Sequence, residues 1–281
     1  MPEGVTYRPE ITSAFYDEWG EREWDRLDRS FHDQVNFRVH QQILDETIEA
    51  GDEVLEAGAG PGRFTIELAR LGAKVHVGDL SEVQLRINQQ KVTEAGAEES
   101  VLSRRRLDIS DLTGIESGRF DATVCFGSAL GCVLDKVPAA VGELVRVTRP
   151  GGLVMISVTS RFGFLRAAIG LILQLVQDPE QLAAVDKAVS TGDNANIKTQ
   201  TLTTHFFTWQ ELTDLLVKHG CEIVTGATAN FLTARWPELR PYWFRKPEVM
   251  EAFMRWELEA CRAPGAFDCG THIITVARRL R

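Results

Sequence analysis

Two kinds of stretch alternate along this chain. Short apolar runs occupy 53–57, Lys74 to Asp79, Leu102 to Leu107, Phe120 to Phe126 and Leu153 to Val158. Between most of them, apolar residues return every three or four positions, at 61–71, 81–95 and 135–147. The runs predict strands and the longer period predicts helices. A further helix over 34–50 places Val35, Val39, Ile43, Leu44 and Ile48 on one side, and Gly51 ends it. Strands that alternate with helices predict a parallel sheet covered on both faces. Right-handed crossovers make that sheet doubly wound, with ligands beyond the carboxyl ends of its strands. Cys221 to Thr228 supplies a sixth strand and Thr271 to Ala277 closes the sheet as a seventh.

Three segments interrupt the alternation. Residues 10–32 carry Phe15, Tyr16, Trp19, Trp24 and Phe31 at helical spacing, which predicts a helical lid stapled to the core. Residues 159–207 hold predicted helices at 162–177 and 180–190, a polar loop and a strand-like run from Lys198 to Phe207. Thr208-Trp209-Gln210-Glu211 is a capping box, so a helix follows over 208–219. Residues 231–262 contain Trp236, Tyr242, Trp243 and Phe244 and a helix near 247–261. We read 1–281 as one domain, with 159–207 and 231–262 as cap insertions after the fifth and sixth strands. Their aromatics, with Phe162, Phe164 and Phe206, suit a closed apolar pocket or the cap's own core.

The formal charge of -9 over 281 residues disfavours a broad hold on nucleic acid. Arg104-Arg105-Arg106 reads as a solvated edge. Five cysteines without paired spacing argue against a disulfide framework or a zinc site, so no metal is expected. No secretory signal opens the chain, and the apolar Phe164 to Val176 segment is too short to span a bilayer. The expectation is a reduced, cytoplasmic protein without a membrane partner. The apolar cap helix leaves room for a homodimer.

The candidate chemistry begins at Glu56-Ala57-Gly58-Ala59-Gly60-Pro61-Gly62-Arg63, where a strand gives way to a helix. Glycines there let a ligand lie against the backbone. A dinucleotide fingerprint asks for Gly-x-Gly-x-x-Gly, but Arg63 stands at the third position. Glu56 before the turn disfavours a pyrophosphate and suits an ammonium group. Asp79, followed by Leu80, ends the second strand, where a carboxylate can accept from both ribose hydroxyls. Asp108 follows the third strand, where it can accept from an adenine amine. Three acids in this order suit S-adenosylmethionine.

The sequence resembles the class I S-adenosylmethionine-dependent methyltransferases. The likeness rests on Glu56 to Gly62, Val77-Gly78-Asp79, Leu107-Asp108-Ile109, Phe120 to Ser128 and Arg149-Pro150-Gly151-Gly152-Leu153. It covers roughly residues 10–160 well. The resemblance implies a Rossmann-like seven-stranded sheet, mostly parallel, with the last strand antiparallel. It implies S-adenosylmethionine as cofactor, with Gly58, Gly60 and Gly62 at its methionine end and Asp79 at the ribose. Asp108 and Ile109 then meet the adenine, and Phe126, Gly127 and Ser128 flank the sulfonium. Tyr16-Asp17-Glu18-Trp19 and Glu23-Trp24-Asp25-Arg26-Leu27 look like the lid of small-molecule members. Tyr16 and Arg38 are candidates for the cofactor carboxylate.

Methyl transfer from a sulfonium needs mainly orientation. Where the acceptor must lose a proton, a base helps, and His205 is the first candidate, with His32 and His40 behind it. The motif of nucleic-acid amine methylases, Asn or Asp before two prolines and an aromatic, is missing after the fourth strand. The expected activity is methylation of a small molecule. Alternatives are a macromolecular acceptor, RNA or protein, and a non-catalytic cofactor-binding protein.

Overall fold

The computed structural model describes residues 5–233 and 246–281. Trp236, Tyr242, Trp243 and Phe244 lie outside the described residues. In chain order the elements are α1 (Pro9–Trp19), α2 (Arg22–Asp25), α3 (Phe31–Thr47), β1 (Glu53–Ala57), α4 (Arg63–Arg70), β2 (Lys74–Asp79), α5 (Glu82–Glu94), β3 (Val101–Arg106) and β4 (Phe120–Cys125). They continue with α6 (Ala129–Cys132), α7 (Val137–Val147), β5 (Thr148–Thr159), α8 (Arg161–Leu175), α9 (Pro179–Thr191), α10 (Trp209–Lys218), β6 (Cys221–Ala229), α11 (Pro247–Ala260) and β7 (His272–Arg279).

The seven strands run in the order β3-β2-β1-β4-β5-β7-β6. Only β7 is antiparallel to its neighbours. The order reverses between β1 and β4, so the crevice for a ligand opens beyond their carboxyl ends. Buried apolar residues cover both faces. One cluster joins Leu55, Phe120, Leu144, Phe207 and Leu212, and the other joins Ile43, Leu44, Val54, Leu68 and Val124. Each such side chain, when fully buried, contributes about 1.5–3 kcal/mol.

Local chemistry sets the ends. Ser30 caps α3 by accepting from Asp33 N, so Phe31 opens that helix rather than closing the lid. Thr208 and Glu211 form the expected capping box on α10. β5 begins at Thr148, five residues before its predicted start, with a register shift against β4. The expected strand from Lys198 to Phe207 is absent. Asn194 Oδ1 accepts from Thr204 N, and Gln181 Oε1 accepts from Lys198 N. These side chains satisfy the backbone that a partner strand would have paired. Two isolated bridges remain, at His205 and Phe207.

Helices α8 and α9 pack on each other through Ile172, Val185 and Ala188. The first turn of α8 presses against the chain before β7: a Cβ built on Gly163 would lie 1.6 Å from Gly270 O, whereas one on Gly170 would meet nothing within 4 Å. Two alanine variants of one helix should therefore move in opposite directions. Gly163→Ala is expected to cost about 3 kcal/mol by overpacking. Gly170→Ala is expected to gain about 0.8–1 kcal/mol from helix propensity. Denaturant melts of the two proteins check both signs.

Candidate active site

The site starts at the turn between β1 and α4. Gly58 has φ 77° and donates its N–H to Gly78 O at 2.8 Å. A Cβ there would lie 2.5 Å from that of Ala129. Gly60, with φ 53°, has nothing within 4 Å of where its Cβ would be. Its open side faces a cavity of about 830 Å³, lined on the sheet side by Gly58, Gly60, Asp79, Asp108, Ile109 and Phe126. Leu80 and Gly127 line it as well.

Asp79 is held by two backbone donors. Gly60 N and Ser81 N donate to its two oxygens, each at 2.8 Å. Burial pushes its carboxyl up to about 6, with those N–H groups pulling the other way. Asp108 Oδ1 accepts from Ser110 N and Oγ, and Oδ2 accepts from Tyr7 OH at 3.1 Å. One carboxylate thus sits at the end of β2 and a second just past β3, both facing one cavity that has room over Gly60.

A lid covers the cavity. Tyr7, Thr12, Tyr16, Glu23, Arg26 and Leu27 contribute its roof. Three contacts tie that roof to the sheet layer. Ser81 Oγ donates to Asp17 at 2.5 Å. Gln84 Nε2 donates to Tyr16 O and Gly20 O. Arg63 donates to Trp24 O, pairs with Asp28 and lies 4.0 Å over the Trp24 ring. The residue that breaks the dinucleotide fingerprint is therefore the lid's clamp.

Several expected site residues sit elsewhere. Glu56 is 3% exposed but does not line the cavity. Its carboxyl accepts from Thr65 Oγ1 at 2.5 Å, and burial raises it to about 8. It is engaged by Thr65 and sits behind the cavity lining. Arg38 is exposed on α3 and donates to Gln41, away from the cavity. Gly62 caps α4 and packs near Asn88. Ser128 bonds Thr159 Oγ1, and only its neighbours Gly127 and Ala129 reach the cavity. Tyr16 does line it, with its hydroxyl 3.8 Å from Cys132 Sγ.

His205 does not fit a catalytic role. Its Nδ1 meets Asp193 and its Nε2 meets Glu211, each at 2.7 Å, so neither nitrogen is free. Against the desolvation that lowers it, those two carboxylates hold its pKa above the usual histidine range. His205 N also donates to Gly131 O. The residue is a strut that ties the insertion to α6.

Sequence reasoning missed Tyr7, Glu23 and Arg26. Arg26 Nε donates to Glu23 Oε1 at 2.8 Å, and Gly127 lies beside its guanidinium. The i,i+3 spacing of Glu23 and Arg26 in the lid motif was the available signal. An arginine there can pair with a carboxylate in the cavity.

Comparison with known proteins adds an independent line. A methyltransferase domain model matches residues 54–152. The ubiquinone biosynthesis O-methyltransferase of Dechloromonas aromatica is 30% identical over 176 residues, which are 58% of this chain and 72% of that one. The chain belongs to the S-adenosylmethionine-dependent methyltransferases. The namesake enzyme of Nitrosococcus oceani is also 30% identical, over 56% of this chain and 66% of its own length, and a Xanthomonas oryzae relative is matched over 49% of its length. Among solved structures, a possible histamine N-methyltransferase of Thermotoga maritima shares the fold with TM-score 0.57 at 17% identity, covering 97% of this chain and all of the other. So does the [4+2]-cyclase SpnF, with TM-score 0.63 at 17% identity over 98% and 97% of the two chains.

The cofactor of the methyltransferase is S-adenosylmethionine, and the donor set fits it: acids at two strand ends, an open glycine backbone and an arginine in the roof. Among the described residues no group of histidine, cysteine, aspartate and glutamate is placed to hold a metal ion, and no helix is long and apolar enough to cross a membrane. Arg63→Ala should free the lid without touching the cavity acids. We expect S-adenosylhomocysteine to bind about 10-fold more weakly, chiefly through faster dissociation, as loss of a hydrogen-bonded charged pair implies. Stopped-flow binding measures that split.

Proposed function

We propose that the methyltransferase acts on a small-molecule acceptor and holds its cofactor in the cavity beneath α1 and α2. In this reading Asp79 accepts from the ribose hydroxyls, and Asp108 and Ile109 frame the adenine. Gly58 and Gly60 flank the methionine chain. Arg26, with Tyr16 beside it, receives the carboxylate. Phe126 and Gly127 lie next to the sulfur.

The observation that carries the reading is the roof itself. Helices α1 and α2 are pinned over the glycine turn by Asp17, Gln84 and Arg63. A site closed in this way suits a small acceptor better than a folded RNA or protein. The curated relatives are named for O-methylation in ubiquinone biosynthesis, which supports the same class. The SpnF likeness, at 17% identity to a cyclase, supports the fold alone.

When bound, the cofactor supplies a methyl group already activated by its positive sulfur. The protein's work is then to orient, to exclude water and to hold an acceptor in line. Tyr16, Phe64, Phe126 and Leu27 provide the dry walls.

Calorimetric titration tests the assignment. S-adenosylhomocysteine should bind the wild type, and Asp79→Ala should weaken it by at least about 30-fold, as loss of about 2 kcal/mol from hydrogen bonds to a charged group implies. The sign with pH follows from the raised pKa: the carboxylate is present above about 6 and is lost as pH falls through that value. Affinity should therefore drop below pH 6, and Asp79→Asn should erase that step. Unchanged affinity in Asp79→Ala would remove the ribose assignment.

A further inference from the structure

The cavity beneath the lid is lined by three acids, Glu23, Asp79 and Asp108, and by two arginines, Arg26 and Arg63. Asp79 and Asp108 stand at the strand ends, and Arg63 is engaged by Trp24 and Asp28. Glu23 and Arg26 remain, side by side in the roof. Glu23 lies on α2, and Arg26 caps the end of that helix. A Cβ on Gly127 would lie 3.7 Å from Arg26 Nη2, which sets the pair over the end of the cavity nearest β4.

The contact between the two uses one edge of each. Arg26 Nε and Nη2 both reach Glu23 Oε1, at 2.8 and 2.7 Å. Among the described residues, Glu23 Oε2 accepts no hydrogen bond and Arg26 Nη1 donates none. Burial disfavours the Arg26 charge, but the charge and hydrogen bond of Glu23 outweigh it and hold the guanidinium above its ordinary value. The pair therefore offers the cavity an unused acceptor oxygen beside an unused donor nitrogen. Glu23 is also felt across the cavity. Burial chiefly, with the Glu23 charge adding to it, raises the Asp79 carboxyl. A cation in that cavity relieves the repulsion between the two acids.

The amino-acid end of S-adenosylmethionine carries one carboxylate and one ammonium. An ammonium taken out of water needs an anion beside it. Glu56, which the sequence offers for that role, is held by Thr65 behind the lining. With Asp79 and Asp108 at the adenosine end, Glu23 is the acid left among those that line the cavity. An arginine alone in the roof would also add its charge to those of the ammonium and the sulfonium. Beside Glu23 it does not.

We propose that Glu23 and Arg26 form a zwitterion clamp: Glu23 Oε2 accepts from the cofactor's ammonium while Arg26 Nη1 donates to its carboxylate. The proposal rests on the reading of this cavity as the cofactor site, and adds Glu23 to it as the partner of the ammonium. The contact between the two side chains holds their free edges at a fixed separation, so the clamp reads both charges together. It also ties recognition of the amino-acid end to the lid, because α2 carries Glu23 and is held over the glycine turn through Arg63 and Trp24. An adenosine thioether without that end makes no use of the clamp.

Four ligands separate the two charges in calorimetric titrations. They are S-adenosylhomocysteine, its deaminated analogue, its decarboxylated analogue, and methylthioadenosine, which lacks the amino-acid end. Wild type should bind the first at least about 10-fold more tightly than any of the others, as loss of a hydrogen bond to a charged group implies. Glu23→Gln keeps a carbonyl oxygen for Arg26 Nε. It should weaken S-adenosylhomocysteine and the decarboxylated analogue by about 10-fold or more, and bind the deaminated analogue no more weakly than wild type. Arg26→Gln should give the mirror pattern, losing the two carboxylate ligands and keeping the decarboxylated one. Methylthioadenosine should bind wild type and both variants within about twofold, which reports that the fold and the adenosine end survive. Unchanged S-adenosylhomocysteine affinity in Glu23→Gln, an equal loss for the deaminated analogue, or loss of methylthioadenosine in either variant would each overturn the clamp. A wild type that binds neither S-adenosylhomocysteine nor methylthioadenosine would instead overturn the cofactor-site reading.

Discussion

The structure depends on a turn that carries no side chains where it matters. A Cβ on Gly58 would lie 2.5 Å from that of Ala129, and Gly60 must leave its face bare. Only then can the backbone N–H of Gly60 reach Asp79, beside the switch point of the sheet. That bond links β1 to β2 at the place where both strands end. It also orients the carboxylate, so the acid and the open backbone present themselves to one cavity together. A side chain at either glycine would fill the space or push the strand ends apart.

The lid depends on the same neighbourhood. Ser81, two residues past Asp79, donates to Asp17, and Arg63, one residue past the turn, clamps Trp24. Cavity and lid are therefore coupled through residues only a few positions apart. Behind Phe64 and Phe126 the buried polar atoms instead come from α3 and the ends of β6 and β7, far apart in sequence and joined by Asn36 and Asn230.

Much of this was legible in the sequence. Strand runs and helical periods gave all seven strands, and position at a strand's carboxyl end picked out Asp79 and Asp108. What failed has physical causes. Lys198 to Phe207 alternates like a strand, but Asn194 and Gln181 pair its backbone before any strand can. Glu56 reads as an exposed acid by position, yet Thr65 from the following helix folds over it. His205 reads as a free imidazole because its partners, Asp193 and Glu211, come from either side of a loop. Arg26 caps the end of the short helix α2, whose docking onto the turn no local period reveals.

The proposed site places the cofactor under the lid, against Gly60 and between the two acids. A crystal structure of the protein with S-adenosylhomocysteine tests it most directly. Ribose hydroxyls should lie within hydrogen-bonding distance of Asp79, with adenine beside Asp108 and Ile109 and the amino-acid carboxylate at Arg26. A ligand bound in any other part of the molecule, or one whose ribose turns away from Asp79, would contradict it.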